Sequence, residues 1–219
     1  NFDGDYRVGI NHRNQWSSFI KPFSTYSGFF DKRTKITKSG DDVFGAGIVL
    51  YSDKAGTAQF TSQSALVSLS YQKKIIPKHV ISVGLQGGIM QKGLNKENLR
   101  FGNQFEEVFF NPELSNKENI SANTIMYPEI HAGIGWKFDM DDKLDIWSSL
   151  SFFNINKPKE SYLGATDNVL SRRGTLEIGA EYLYNEKITI TPGVLFSGQT
   201  KAYEFLAGST VGYRLKSAP

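Results

Sequence analysis

The sequence predicts an all-β protein: an antiparallel, up-and-down transmembrane β-barrel with about ten strands in its 219 residues. Three observations carry that expectation. Segments of roughly ten residues, the length a tilted strand needs to cross a bilayer, recur with a side-chain period of two. The connections between them alternate between short turns and long loops, as in outer-membrane barrels. The face opposite each apolar face is rich in glycine, serine and charge. That suits a crowded polar lumen, whereas glycine on the outside of a soluble sheet only weakens a strand.

Segment 125–138 shows the pattern most clearly. Pro128, Ile130, Ala132, Ile134, Trp136 and Phe138 alternate with Glu129, His131, Gly133, Gly135 and Lys137. Before it, residues 6–14 set Tyr6, Val8 and Ile10 against Arg7, Gly9, Asn11 and Arg13, and residues 23–32 alternate more weakly. Residues 43–52 place Phe44, Ala46, Ile48 and Leu50 on one face, and the turn after them is built on Gly56. Residues 59–72 oppose Ala65, Val67, Leu69 and Tyr71 to serines. Residues 79–92 oppose Ile81, Val83, Leu85 and Ile89 to Ser82, Gly84, Gln86 and Gly88. After the clearest segment come 143–153, 173–184, 188–197 and 203–214, each with one apolar face. Pro192 sits within a strand, where a missing N–H predicts a bulge or local break; Pro128 suggests a strand's start.

Short connections are expected at 73–78, 139–142 and 185–187, and long ones at 93–123 and 154–170. Trp136, Phe138, Tyr182, Tyr184, Tyr213 and Tyr71 all fall where strands approach the short-turn rim, as an interfacial aromatic girdle requires. The competing architecture, a water-soluble barrel or sandwich, would turn the same apolar faces inward and gather Ile130, Ile134, Ile178 and Val194 into a core.

Composition narrows the function classes. Mean hydropathy is -0.35 and no stretch is apolar enough for a membrane helix. The chain has no cysteine, so neither a disulfide framework nor a thiolate metal site is available. Net charge is +3, and the basic cluster Lys32, Arg33, Lys35 and Lys38 is expected to be a solvated turn, with no nucleic-acid partner. The single domain is expected to fill residues 1–219; no signal peptide opens the chain at Asn1, so the protein is either cytoplasmic or a mature product whose signal peptide has been removed.

No catalytic or cofactor constellation is legible. His12, His79 and His131 lie far apart in sequence without metal-ligand spacing, and the pairs Gly45/Gly47 and Gly133/Gly135 are strand glycines that precede no helix. A lipid-hydrolysing barrel needs a serine and a histidine that meet on the outer surface. No motif points to a serine beside His12. The candidate lumen charges are Arg7, Arg13, Glu129, His131, Lys137, Glu177, Glu181, Glu204 and Arg214, of both signs. Buried charge must pair or stay hydrated, so a cross-strand network that plugs the interior is expected, with His131 near Glu129 and Lys137.

Several stretches resemble the PorP/SprF family of the Bacteroidota. They are His12, Arg13, Asn14, Gln15 and Trp16 leaving the first strand; Tyr51 to Gly56 at a strand end; Gly84, Leu85, Gln86 and Gly88; and Phe101, Gly102, Asn103, Gln104 and Phe105 in the long loop. The resemblance runs through most of the chain in the same order. It implies an outer-membrane protein of type IX secretion and gliding motility, with a larger barrel of about fourteen strands. On that basis the chain is expected to be incomplete at both ends. The resemblance also implies partners: a secreted adhesin or cargo with a type B C-terminal domain, ring or motor components of the secretion system, and the lipid bilayer with its lipopolysaccharide. No cofactor is implied. Loops at 15–22, 93–123 and 154–170 are the expected recognition surface, since function concentrates on loops over a rigid scaffold. Arg13, Asn14, Gln15, Trp16, Phe19, Phe101, Asn103 and Phe105 are the candidate contacts. A passive channel or small-solute transporter is the alternative.

Overall fold

The computed structural model describes residues 5–16, 23–36, 42–56, 59–95, 99–106, 109–115, 117, 122–162 and 168–215. Ten strands form one antiparallel sheet: β1 (Tyr6–Gln15), β2 (Phe23–Lys35), β3 (Asp42–Ala55), β4 (Phe60–Ile76), β5 (His79–Gly93), β8 (Thr124–Asp141), β9 (Leu144–Phe153), β10 (Arg173–Asn185), β11 (Ile188–Gln199) and β12 (Ala202–Tyr213). Each pairs with its sequence neighbour, so the topology is up-and-down. Between β5 and β8 a short hairpin, β6 (Phe105–Glu106) with β7 (Phe109–Phe110), stands outside the sheet. Among the described residues β1 and β12 have one strand partner each, and the sheet is open.

The apolar faces point outward. Ile130, Ile134, Ile178 and Val194 are 47%, 51%, 44% and 38% exposed, so they form no core. Among the described residues the buried hydrophobic side chains reduce to one, Tyr127, and it shares the concave face of β8 with the buried Glu129 and His131, while Ser197 is buried on the same side of β11. A water-soluble sheet that exposed this much continuous apolar surface would aggregate. The arrangement is stable only with the convex face against lipid. Near the short-turn rim, Phe44 lies opposite Tyr71, and His79 stacks on Phe138 at 4.4 Å beside Trp136. The girdle read from the sequence thus contains a stacked cluster of His79, Trp136 and Phe138.

The rims differ as expected. Pro77 and Lys78, Asp142 and Lys143, and Glu186 and Lys187 make two-residue turns on one rim. The connections after β5 and β9 lie on the other. Lys78 (φ 70) takes the left-handed conformation needed to reverse the chain, as does Gly56 (φ 66) on the opposite rim. Several boundaries move. β4 continues to Ile76 and β3 to Ala55, so the turns are shorter than composition suggests. Lys32, Arg33 and Lys35 belong to β2 and not to a turn: their backbone pairs with β3, as Arg33 does with Gly45, while Lys38 lies outside the described residues.

Pro192 brings the expected local break and no bulge. The register of β11 against β10 is the same at Gly193 and at Ile190, and the rungs between them are missing. Against β12 the ladder is unbroken through Pro192. The missing N–H thus faces β10 and removes rungs without inserting a residue. The irregularity in this hairpin lies instead between Leu183 and Asn185. Pro128, by contrast, does not open a strand. β8 extends beyond β9, whose pairing with it begins at Ala132, and Pro128 lies in that overhang. No neighbouring strand there requires its N–H.

Candidate functional site

Strand alternation places every candidate lumen residue on the concave face, and cross-strand register decides which of them meet. Arg7 lies opposite Asp31 and donates to it from Nε at 3.0 Å. Glu129 and His131 are neighbours on one face of β8, with Nε2 to Oε2 at 3.8 Å. The His131 Nδ1 accepts the Asn154 backbone N–H at 3.1 Å, which assigns the ring proton to Nε2, on the side of Glu129. Lys137 does not join them. Six positions along the strand is about 20 Å, and its Nζ lies between Asp139 (2.7 Å) and Asp145 (2.8 Å). Glu177, Glu181, Glu204 and Arg214 are exposed on the concave side of β10 and β12 or just beyond it. Among the described residues none of these four makes a side-chain ion pair. Arg13 faces the same side opposite Thr25. The charges are thus gathered into separate local groups at different heights.

The partners Asp31, Asp139 and Asp145 escape a reading strand by strand. The signal for Asp31 was available: folding 6–15 back on 23–32 in simple antiparallel register puts it opposite Arg7.

At the long-loop rim the β9–β10 connection folds inward as a strap. Glu160 receives the Lys92 Nζ at 2.6 Å and the Tyr127 hydroxyl at 3.3 Å, both from the concave wall. Asn156 occupies the overhang of β8 as a strand would: its Oδ1 accepts from Ile130 N (3.2 Å) and its Nδ2 donates to the Pro128 carbonyl (2.8 Å). Ile155 N donates to Ile130 O at 3.0 Å, and Arg172 Nε holds the Ile155 carbonyl. Lys159 bridges Val169, which closes the strap on itself. Burial, then the charge of Glu160, raises the Tyr162 phenol above its ordinary range. Lys92, Tyr127, Asn156 and Glu160 carry no sequence signal, because only the loop's return brings them together.

The β5–β8 connection presents aromatic side chains. Gln104 is its clasp: Oε1 accepts from Phe101 N (3.2 Å), Nε2 donates to the Leu114 carbonyl (3.2 Å), and its own carbonyl accepts from Asn111 N (2.8 Å). The hairpin so held packs Phe105 against Phe110 as a tilted ring pair (5.5 Å), with the Arg100 guanidinium over the Phe110 ring (4.8 Å). It leaves Phe109 76% exposed. Sequence reasoning named Phe101, Asn103 and Phe105; it missed Phe109 and the organising Gln104. Trp16 is exposed, with a left-handed backbone (φ 60) unusual for a bulky residue. Asn14 and Gln15 end β1 opposite Ser24 and Phe23, and Phe19 lies outside the described residues.

On the convex face, Ser24 Oγ does lie 3.4 Å from His12 Nε2, the juxtaposition for which no motif gave a sign. The imidazole is stacked on Tyr26 at 4.4 Å. The contact is at the long limit of a hydrogen bond, and among the described residues no carboxylate pairs with His12 to orient it as a triad requires. Among the described residues no cluster of His, Asp and Glu is arranged to hold a metal ion.

An antiparallel wall with an apolar exterior, a polar interior and one rim of long loops is the wall of a transmembrane β-barrel. The sequence matches the family described as Type IX secretion system membrane protein PorP/SprF over residues 2–215. The chain therefore belongs to the PorP/SprF family. Its fold is similar to a crystal structure of a Pseudomonas aeruginosa FadL homologue (TM-score 0.56, 12% identity), covering 100% of this chain and 65% of that one. The chain thus spans just under two thirds of the length of the structure it matches. No curated protein matches it in sequence.

Proposed function

We propose that this type IX secretion membrane protein is a non-enzymatic barrel of the outer membrane, one domain over residues 1–219, that assists export or surface anchoring of a secreted adhesin or cargo bearing a type B C-terminal domain. The observation that carries the reading is the organised long-loop rim. The Gln104-clasped hairpin and the Glu160-bound strap are held in place before any partner arrives, so binding would lose little ordering entropy. Exposed aromatics over a rigid scaffold are the usual anchors of a protein interface. In this reading the long-loop rim faces the cell exterior and its lipopolysaccharide. The short-turn rim faces the periplasm, within reach of ring or motor components of the secretion system.

Capture of the tagged protein from native membranes tests the proposal. The expected result is co-isolation of a large secreted protein, reduced about 30-fold or more when Phe105 and Phe109 are both changed to Ala, as for hot-spot residues. A partner-free protein, or capture indifferent to the double variant, contradicts it. The serine- and glycine-lined concave wall favours one second reading, a passive channel for small solutes. Steady single-channel openings in planar bilayers would select that reading over a plugged scaffold.

A further inference from the structure

The concave wall carries a second site, near the short-turn rim, that the cargo reading does not use. Trp147 projects inward from β9 beside its cross-strand partner Gly179 of β10, and its indole occupies the space above that glycine. A Cβ added at Gly179 would meet the indole, with Cε2 at 2.6 Å, so only glycine lets the ring rest on the strand. The indole also borders a cavity of about 630 Å³ lined too by Lys137, Asp145, Glu181, Ser82 and Ser149.

The charges around this ring are arranged unusually. Asp145 and Glu181 are direct cross-strand partners, and like charges placed opposite each other destabilise a sheet. Lys137 offsets one of them: its Nζ is taken by Asp145 (2.8 Å) and Asp139 (2.7 Å). Glu181 makes no ion pair or hydrogen bond among the described residues. The pocket therefore offers a flat aromatic platform, one uncommitted carboxylate that accepts two hydrogen bonds, and serine hydroxyls that donate or accept.

A ligand for this site needs a flat face of C–H groups to lie on the indole and several hydroxyls along its edge for Glu181 and the serines. An anionic ligand is disfavoured by the carboxylates, and a purely apolar one would leave the polar rim unpaired. The volume falls within the range of small-molecule sites. We infer that Trp147, Glu181 and the serine-lined wall around them form a saccharide-binding pocket, stacking one sugar ring on the indole and holding its vicinal hydroxyls at the Glu181 carboxylate.

The test is calorimetric titration of the full chain in a zwitterionic, sugar-free detergent, with maltose, cellobiose and N,N′-diacetylchitobiose as probes and trilysine as the competing class. The expected result is saturable binding of at least one disaccharide, with quenching of tryptophan fluorescence, weakened about tenfold or more in Trp147→Ala. Because Trp147 also packs on Gly179, Glu181→Gln is the paired variant. It leaves that packing intact and is expected to weaken the same sugar severalfold. No saturable sugar binding, sugar binding unchanged in both variants, or trilysine binding in place of sugar would each overturn the inference. The outcome is independent of cargo capture, which depends on the other rim.

Discussion

Ile178→Arg is expected to destabilise the protein in a bilayer by about 2–4 kcal/mol, the cost of a guanidinium on the lipid face near mid-membrane. Ile178 is 44% exposed on the convex side, flanked by Ser148 on β9 and Val194 on β11. No acidic side chain lies at either neighbouring position to receive the charge. The matched control is Ser149→Arg on the concave side. Ser149 lies across from Glu177, so the new cation gains a carboxylate and water, and the expected change is within about 0.5 kcal/mol. Denaturant unfolding from lipid vesicles measures both. Equal penalties at the two positions would contradict a sided wall.

Gly88→Ala is expected to cost about 3 kcal/mol, at the upper end for overpacking. A Cβ at Gly88 would collide with the Ala65 carbonyl oxygen and approach Leu66 Cα at 2.8 Å. Those are backbone atoms of the paired strand, and no rotamer change can move them aside. The same substitution at Gly208, where nothing lies within 4 Å, is expected to change stability by no more than about 0.5 kcal/mol. The contrast separates glycines that permit close strand approach from those that merely line the interior, and the unfolding midpoints of the two variants report it.

What was legible in the sequence follows from the physics of a strand. A period of two needs no tertiary information, so the facing of Ile134 against Gly135, or of Ile178 against Glu177, could be read residue by residue. The aromatic cluster followed, because strand ends could be located. Pairing was less accessible. Lys137 is followed two residues later by Asp139, but its second partner, Asp145, lies across a turn whose length had to be known. Pro192 announced a break in pairing, but its N–H has two possible sides, and only the sheet shows that the loss falls toward β10. The strap was not legible at all: Glu160 sits in a stretch with no periodicity, and its bonds to Lys92 and Tyr127 arise from the return of a long loop. The hairpin was half legible. Its motif was recognisable, while the role of Gln104 as clasp was visible only once Leu114 and Asn111 were in place.

The absence of native cysteine permits the most direct test of the central claim, that the convex face lies in lipid and the concave face does not. Single cysteines placed at Ile130, Ile134, Ser82 and Ser149 would be treated with a membrane-impermeant maleimide in intact vesicles and again after solubilisation. The account predicts that Ser82→Cys and Ser149→Cys react in the bilayer while Ile130→Cys and Ile134→Cys react only once lipid is removed. Rapid labelling of the isoleucine positions in the bilayer, with protection of the serine positions, would contradict it.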